Sequence, residues 1–165
     1  MSLYNSTKTV VITIAIMVVA MNILLWLGVF DSTKNYNSAE VENQLRVEAD
    51  AGNSESQNKL GTLLFKRAKK DNGDYSDAIY WFNQANKQEH PFAQMNLALA
   101  YRKGQGVAID KEKAIELFYA SGINFLRTNV PDSAKDSVYN INRINSIHPL
   151  KRKLIDAIKQ YESTQ

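Results

Sequence analysis

The chain has 165 residues and no cysteine. That absence excludes disulfides, thiolate nucleophiles, cysteine metal sites and a lipoprotein anchor. Histidine occurs only twice, leaving little for a metal centre or a proton shuttle. Three prolines and seven glycines are too few for a loop-rich or low-complexity protein, and they punctuate the chain at intervals. No stretch alternates apolar and polar residues with a period of two, so no sheet is expected. A strong charge of either sign is also missing. The net charge is +3, and residues 31–165 carry 19 basic against 17 acidic side chains. The pI near 9.0 reflects this slight excess and is not the basic footprint of a nucleic-acid binder.

What is present, first, is one long apolar run. Residues 9–30 form 22 positions without a charge. As an α-helix this run would span roughly 33 Å at ~1.5 Å per residue, enough to cross a ~30 Å hydrocarbon core. A cleaved signal peptide would have a shorter apolar region of ~7–15 residues and a small-x-small site, and Leu27-Gly28-Val29-Phe30-Asp31-Ser32 offers none. Tyr4 on one side and Trp26 with Phe30 on the other suit the two interfaces. An uncleaved transmembrane helix is therefore expected. Asn22 could bond to a partner helix, but no Gly-x-x-x-Gly pattern accompanies it, and the oligomeric state stays open. Lys8 and the α-amino group precede the run, and Lys34 and Arg46 follow it, so basic residues do not orient it. The short leading tail favours a cytoplasmic N-terminus and an exported domain. In a bacterium that domain would be periplasmic, on the inner membrane.

The segments expected are a tail at 1–8, the span at 9–30, a polar linker at 31–38 and a helical domain at 39–162. In that domain Asn37 can cap a first helix, with Glu40 as its reciprocal partner and Val41, Leu45 and Ala49 as its apolar stripe. Gly52 ends it. A second helix is expected at about 54–69 with Leu60, Leu63 and Leu64 apolar. Asp74 caps a third, with Ala78, Ile79, Trp81, Phe82 and Ala85 apolar. Pro91 opens a fourth at the first-turn position, where its missing N–H costs nothing. Asp110 caps a fifth that runs to about Thr128. Pro131 and Pro149 open the last two, carrying Ala134, Val138, Ile141 and Ile144, then Leu150, Leu154, Ile158 and Tyr161.

These helices repeat. Ser56-Gln57-Asn58-Lys59-Leu60-Gly61 aligns with Ala93-Gln94-Met95-Asn96-Leu97-Ala98 at an offset of 37. Asp74-x-x-Asp77-Ala78-x-x-Trp81-Phe82 aligns with Asp110-x-x-Lys113-Ala114-x-x-Leu117-Phe118 at an offset of 36. That period marks helix–turn–helix arrays, in which each unit buries its apolar face against its neighbours. Small residues (Gly61, Ala78, Ala98, Ala114) recur where two helices approach closely, and bulky ones (Leu60, Trp81, Leu97, Phe118) fill the space between. The segment Ala93-Gln94-x-Asn96-Leu97-Ala98-x-x-Tyr101-x-x-Gly104-x-Gly106-Val107-x-x-Asp110-x-x-Lys113-Ala114 resembles a Sel-one-like repeat, a relative of the tetratricopeptide repeat. The Gly-x-Gly-Val loop followed by Asp-x-x-Lys-Ala is its most specific part. The resemblance covers 88–121 well. It covers 49–85 more loosely, where the loop is Lys69-Lys70-Asp71-Asn72-Gly73, and it fades over 122–162, read as a degenerate third pair or a cap. It implies a right-handed α-solenoid acting as a scaffold for a protein or peptide partner, often in the bacterial envelope, so that with the apolar run the expected architecture is all-α: a single N-terminal transmembrane helix followed by a short α-solenoid of antiparallel helix pairs.

In such a solenoid the first helix of each pair lines the concave face. The residues expected there are Glu55, Asn58, Thr62 and Phe65, then Phe92, Met95, Leu99 and Arg102. Phe65, Phe92, Met95 and Leu99 beside Arg102 have the chemistry of a peptide groove, or belong to the core. Catalytic, cofactor and metal sites are not expected. Gly104-Gln105-Gly106 lacks the preceding strand and third glycine of a dinucleotide fingerprint and reads as a tight turn. His90 and His148 each precede a proline and read as helix-opening residues. No serine sits in a nucleophile elbow and no carboxylate pair stands out. The basic runs Lys66-Arg67-x-Lys69-Lys70 and Lys151-Arg152-Lys153 read as solvated helix faces, or as contacts with anionic lipid. The alternatives to a scaffold are a structural subunit of an envelope or secretion complex, or a cell-wall enzyme with an unrecognised site.

Overall fold

A computed structural model describes residues 38–165, whose compact unit is Ala39–Gln165. The tail, the apolar run at 9–30, the linker to 37 and the Asn37 cap lie outside the described residues. Among those described there are seven α-helices and no strand. They are α1 Ser38–Asp50, α2 Ser54–Asp71, α3 Ser76–Asn86, α4 Pro91–Lys103, α5 Lys111–Arg127, α6 Pro131–Ile144 and α7 Pro149–Ser163.

Local chemistry sets the boundaries. Asn53 accepts from the Ser56 N–H at 2.8 Å to start α2, and Asp110 accepts from the Lys113 N–H at 2.9 Å to start α5. Proline occupies the first turn of α4, α6 and α7. Asp74, expected as the cap of α3, lies one residue too early, because Tyr75 takes the cap position without a side-chain bond. Asp74 instead accepts from the Ser76 N–H and Oγ, at 2.9 and 2.7 Å, closing the turn before the helix. The Gly104-Gln105-Gly106 turn uses left-handed backbone at both glycines, with φ of 70° and 75°.

Helices pack as neighbours in sequence: α2 on α3, α4 on α5 and α6 on α7, with α3–α4 and α5–α6 contacts joining the pairs. Helix α7 also packs back on α5, and α2 touches α4 directly. The core threads through every pair, with Leu60, Phe82, Leu97, Ile115, Phe118, Phe125, Ile141 and Leu154 almost fully buried. Each such side chain contributes roughly 1.5–3 kcal/mol by leaving water. Gly61 lets α2 and α3 close together, since a Cβ there would stand 2.7 Å from the Phe82 ring.

Two apolar expectations shift. Leu63 is half-buried outside the core that holds Leu60 and Leu64. In α1, Leu45 and Ala49 face the core, but Val41 is 39 % exposed and its neighbour Glu42 is 9 % exposed. Glu42 is drawn in by Arg67 near the end of α2 and by Arg46 at 2.9 Å. At the other end of α1, Glu48 accepts from Ser56 Oγ at 2.5 Å, and Gln57 donates to the Ala49 carbonyl at 3.0 Å. Helix α1 therefore lies antiparallel to α2, fixed by polar contacts at both ends.

Candidate partner-binding face

The first helices of the three pairs, α2, α4 and α6, are stitched together by side-chain amides. Asn96 on α4 donates to Asn58 Oδ1 on α2 at 3.1 Å and to Thr62 Oγ1 at 3.5 Å. Arg102 on α4 donates to Asn140 Oδ1 on α6 at 3.0 Å. The first link is an amide pair in the early turns of α2 and α4, and the second is a guanidinium–amide bond toward the ends of α4 and α6.

Around the first link, Asn58 is buried and Thr62 is half-buried, its hydroxyl donating to the Asn58 carbonyl at 2.8 Å. Phe65 packs against Tyr75 and Phe82, with ring centroids 4.7 and 6.1 Å away. Its remaining surface, with Thr62, Lys66, Phe82 and Asn96, lines a groove of about 190 Å³. Further along α4, Met95 and Leu99 are half-buried against the core. At its end Arg102 stacks over the Phe118 ring, 5.9 Å from the centroid, and meets Asn140.

Glu55 and Phe92 lie apart from this groove, at the opening of α4. Phe92 is 46 % exposed and stands edge-on to Phe125 on α5 at 4.7 Å. Glu55 accepts from His90 Nε2 at 2.9 Å and pairs with Lys59 at 3.2 Å. The His90 bond, then Lys59, hold the Glu55 carboxyl below the usual carboxylate range. His90 opens α4 by accepting the Ala93 N–H at Nδ1, and its side chain is only 10 % exposed. An acceptor Nδ1 fixes the tautomer whose Nε2–H points to Glu55. His148 repeats the device at α7, accepting the Leu150 N–H at Nδ1 with Nε2 3.3 Å from Glu112.

Of the expected residues, Thr62 and Phe65 line one groove, Asn58 is buried beneath its Asn96 wall, Met95 and Leu99 pack half-buried against the core, and Arg102 lies at the end of α4. The sequence reading left out Lys66, Asn96, Tyr139, Asn140 and Arg143. Asn96 is the repeat equivalent of Lys59, an exposed position, so the repeat gave no sign of its bond to α2. Tyr139 and Arg143 stand four apart on exposed positions of α6, and that spacing was the available sign of a shared face. Among the described residues no group of three or more His, Asp or Glu could hold a metal ion, and no helix is long and apolar enough to cross a membrane.

No curated protein is similar enough to the chain to count as a match. The Sel1 repeat model matches residues 54–90 and 91–121. These boundaries fall on α2–α3 and α4–α5, so the two central helix pairs are the segments similar to the Sel1 repeat.

Proposed function

We propose that this chain is a membrane-anchored helical-repeat scaffold that holds a protein or peptide partner on the face of α2, α4 and α6. Sel1 repeats generally mediate protein–protein interaction and are typically non-catalytic. The observation that supports the reading is that side chains link the first helices, Asn96 to Asn58 and Arg102 to Asn140, with half-buried Phe65, Met95 and Leu99 on the same helices. Such mixtures of apolar contact and oriented donors suit peptide recognition.

The apolar run at 9–30 supplies the tether, with the domain on the periplasmic side of a bacterial inner membrane. Tethering raises the effective concentration of any partner held on the same membrane, so a modest groove suffices. Two experiments test this reading. A phosphatase fused after Gln165 is expected to be active, whereas fluorescence of a cytoplasm-only reporter would reverse the orientation. Capture from detergent-solubilised native membranes is expected to recover a partner that Met95→Ala weakens without changing the helical content. Capture indifferent to Met95, Leu99 and Thr62 substitutions would contradict the assignment of the face.

A further inference from the structure

Toward the end of α4, Arg102 bonds to Asn140 on α6, one turn before Arg143, and neither arginine pairs with a carboxylate among the described residues. Arg102 stands over Phe118 and donates one of its five N–H groups to Asn140. Arg143, one turn beyond Asn140 on α6, lies 5.9 Å from the Tyr139 ring and makes no hydrogen bond or ion pair among the described residues. Aromatic faces hold both cations in place without neutralising them. Asn140 uses both ends of its amide, the nitrogen donating to the Asp136 carbonyl at 2.9 Å and the oxygen accepting from Arg102. Asp136 itself, two turns before Arg143, enters no ion pair among the described residues, and Lys103 next to Arg102 adds a further exposed positive charge. Burial first, and the nearby Arg143 charge second, push Arg102 below its ordinary value. Two like charges brought together and partly desolvated weaken the fold unless an anion joins them. Elsewhere on this domain Arg67, half-exposed, is neutralised by Glu42.

We infer that Arg102 and Arg143 form a clamp for a carboxylate side chain in an acidic segment of the partner protein. This rests on the scaffold reading and specifies the partner's chemistry. The planar guanidinium fork matches a carboxylate with two parallel N–H···O bonds, and half-buried charge-assisted bonds of this kind are about twice as strong as neutral ones. Tyr139, 59 % exposed beside the clamp, offers its ring to the apolar part of the same segment.

The test uses the full chain in nanodiscs of neutral phosphatidylcholine, with fluorescently labelled hexaglutamate and hexaglutamine as probes. Hexaglutamate is expected to bind saturably, more weakly as salt rises, and hexaglutamine not to bind. Arg143→Gln, at an exposed position where folding is not at risk, is expected to weaken binding about tenfold, the loss of one charge-assisted pair. Arg102→Gln should do the same, and replacing Lys151, Arg152 and Lys153 by Gln should change little. Equal binding of the two peptides, or hexaglutamate binding unchanged by Arg143→Gln, overturns the clamp. So does binding only to vesicles containing anionic phosphatidylglycerol. If the clamp fails while Met95→Ala still releases the native partner, the scaffold reading stands without it. If face substitutions also leave native capture unchanged, both fall.

Discussion

At the scale of single residues, two positions carry more than their size suggests. Gly61 stands where α2 meets α3, and a Cβ there would lie 2.7 Å from the Phe82 ring and 3.2 Å from the Ala78 carbonyl. Helix propensity alone would reward replacing this glycine by about 1 kcal/mol. Overpacking a filled core costs typically ~1–3 kcal/mol and more for a branched side chain, so the clash wins. Gly61→Leu is expected to lower the melting temperature sharply by circular dichroism, and an unchanged melt would refute this helix register. His90 is the second such position, because one ring caps α4 through Nδ1 and binds Glu55 through Nε2. His90→Ala is expected to cost about 1 kcal/mol in urea unfolding, the usual loss for a missing cap. No measurable change would show that the ring does not hold the helix start.

Among elements, α1 shows how much of the fold was legible. Helix boundaries could be read from Pro91, Pro131, Pro149, Asp110 and Gly52, because capping and turn chemistry act within a few residues. The phase of α1 could not, since Glu42 turns inward to meet Arg67, 25 residues away, while Val41 turns out. The same limit hid half of the candidate face. Thr62, Phe65 and Met95 were legible from the repeat, whereas Arg143 becomes relevant only once α6 is laid beside α4. The Glu42 contact has a pH consequence. Arg67, then Arg46, hold the Glu42 carboxyl below its ordinary 4.5, so its charged form is favoured in the folded protein. A lowered carboxyl contributes stability that is full above its unfolded value and is lost as pH falls through the folded value. Unfolding free energy should therefore decline from about pH 5 downward, with Glu42→Gln flattening that decline and removing on the order of 1 kcal/mol at neutral pH, since Arg67 is half-exposed and screened. Identical acid limbs for the two proteins would contradict this role for Glu42.

For the whole molecule, each helix pair buries its apolar side only against its neighbours, so the array is held together by a chain of local contacts. The two segments that match the Sel1 repeat model occupy its middle, with α1 bonded to α2 at one end and the α6–α7 pair at the other. What this arrangement leaves over is a face whose helices are already aligned before any partner arrives, which reduces the ordering cost of binding. The most direct measurement is photo-crosslinking in native membranes from a reactive amino acid placed singly at Thr62, Met95 or Tyr139, compared with Tyr80 on α3 and Glu116 on α5. The account predicts that the first three positions give adducts with one and the same protein and that the last two give none. Adducts arising only from Tyr80 and Glu116 would contradict it.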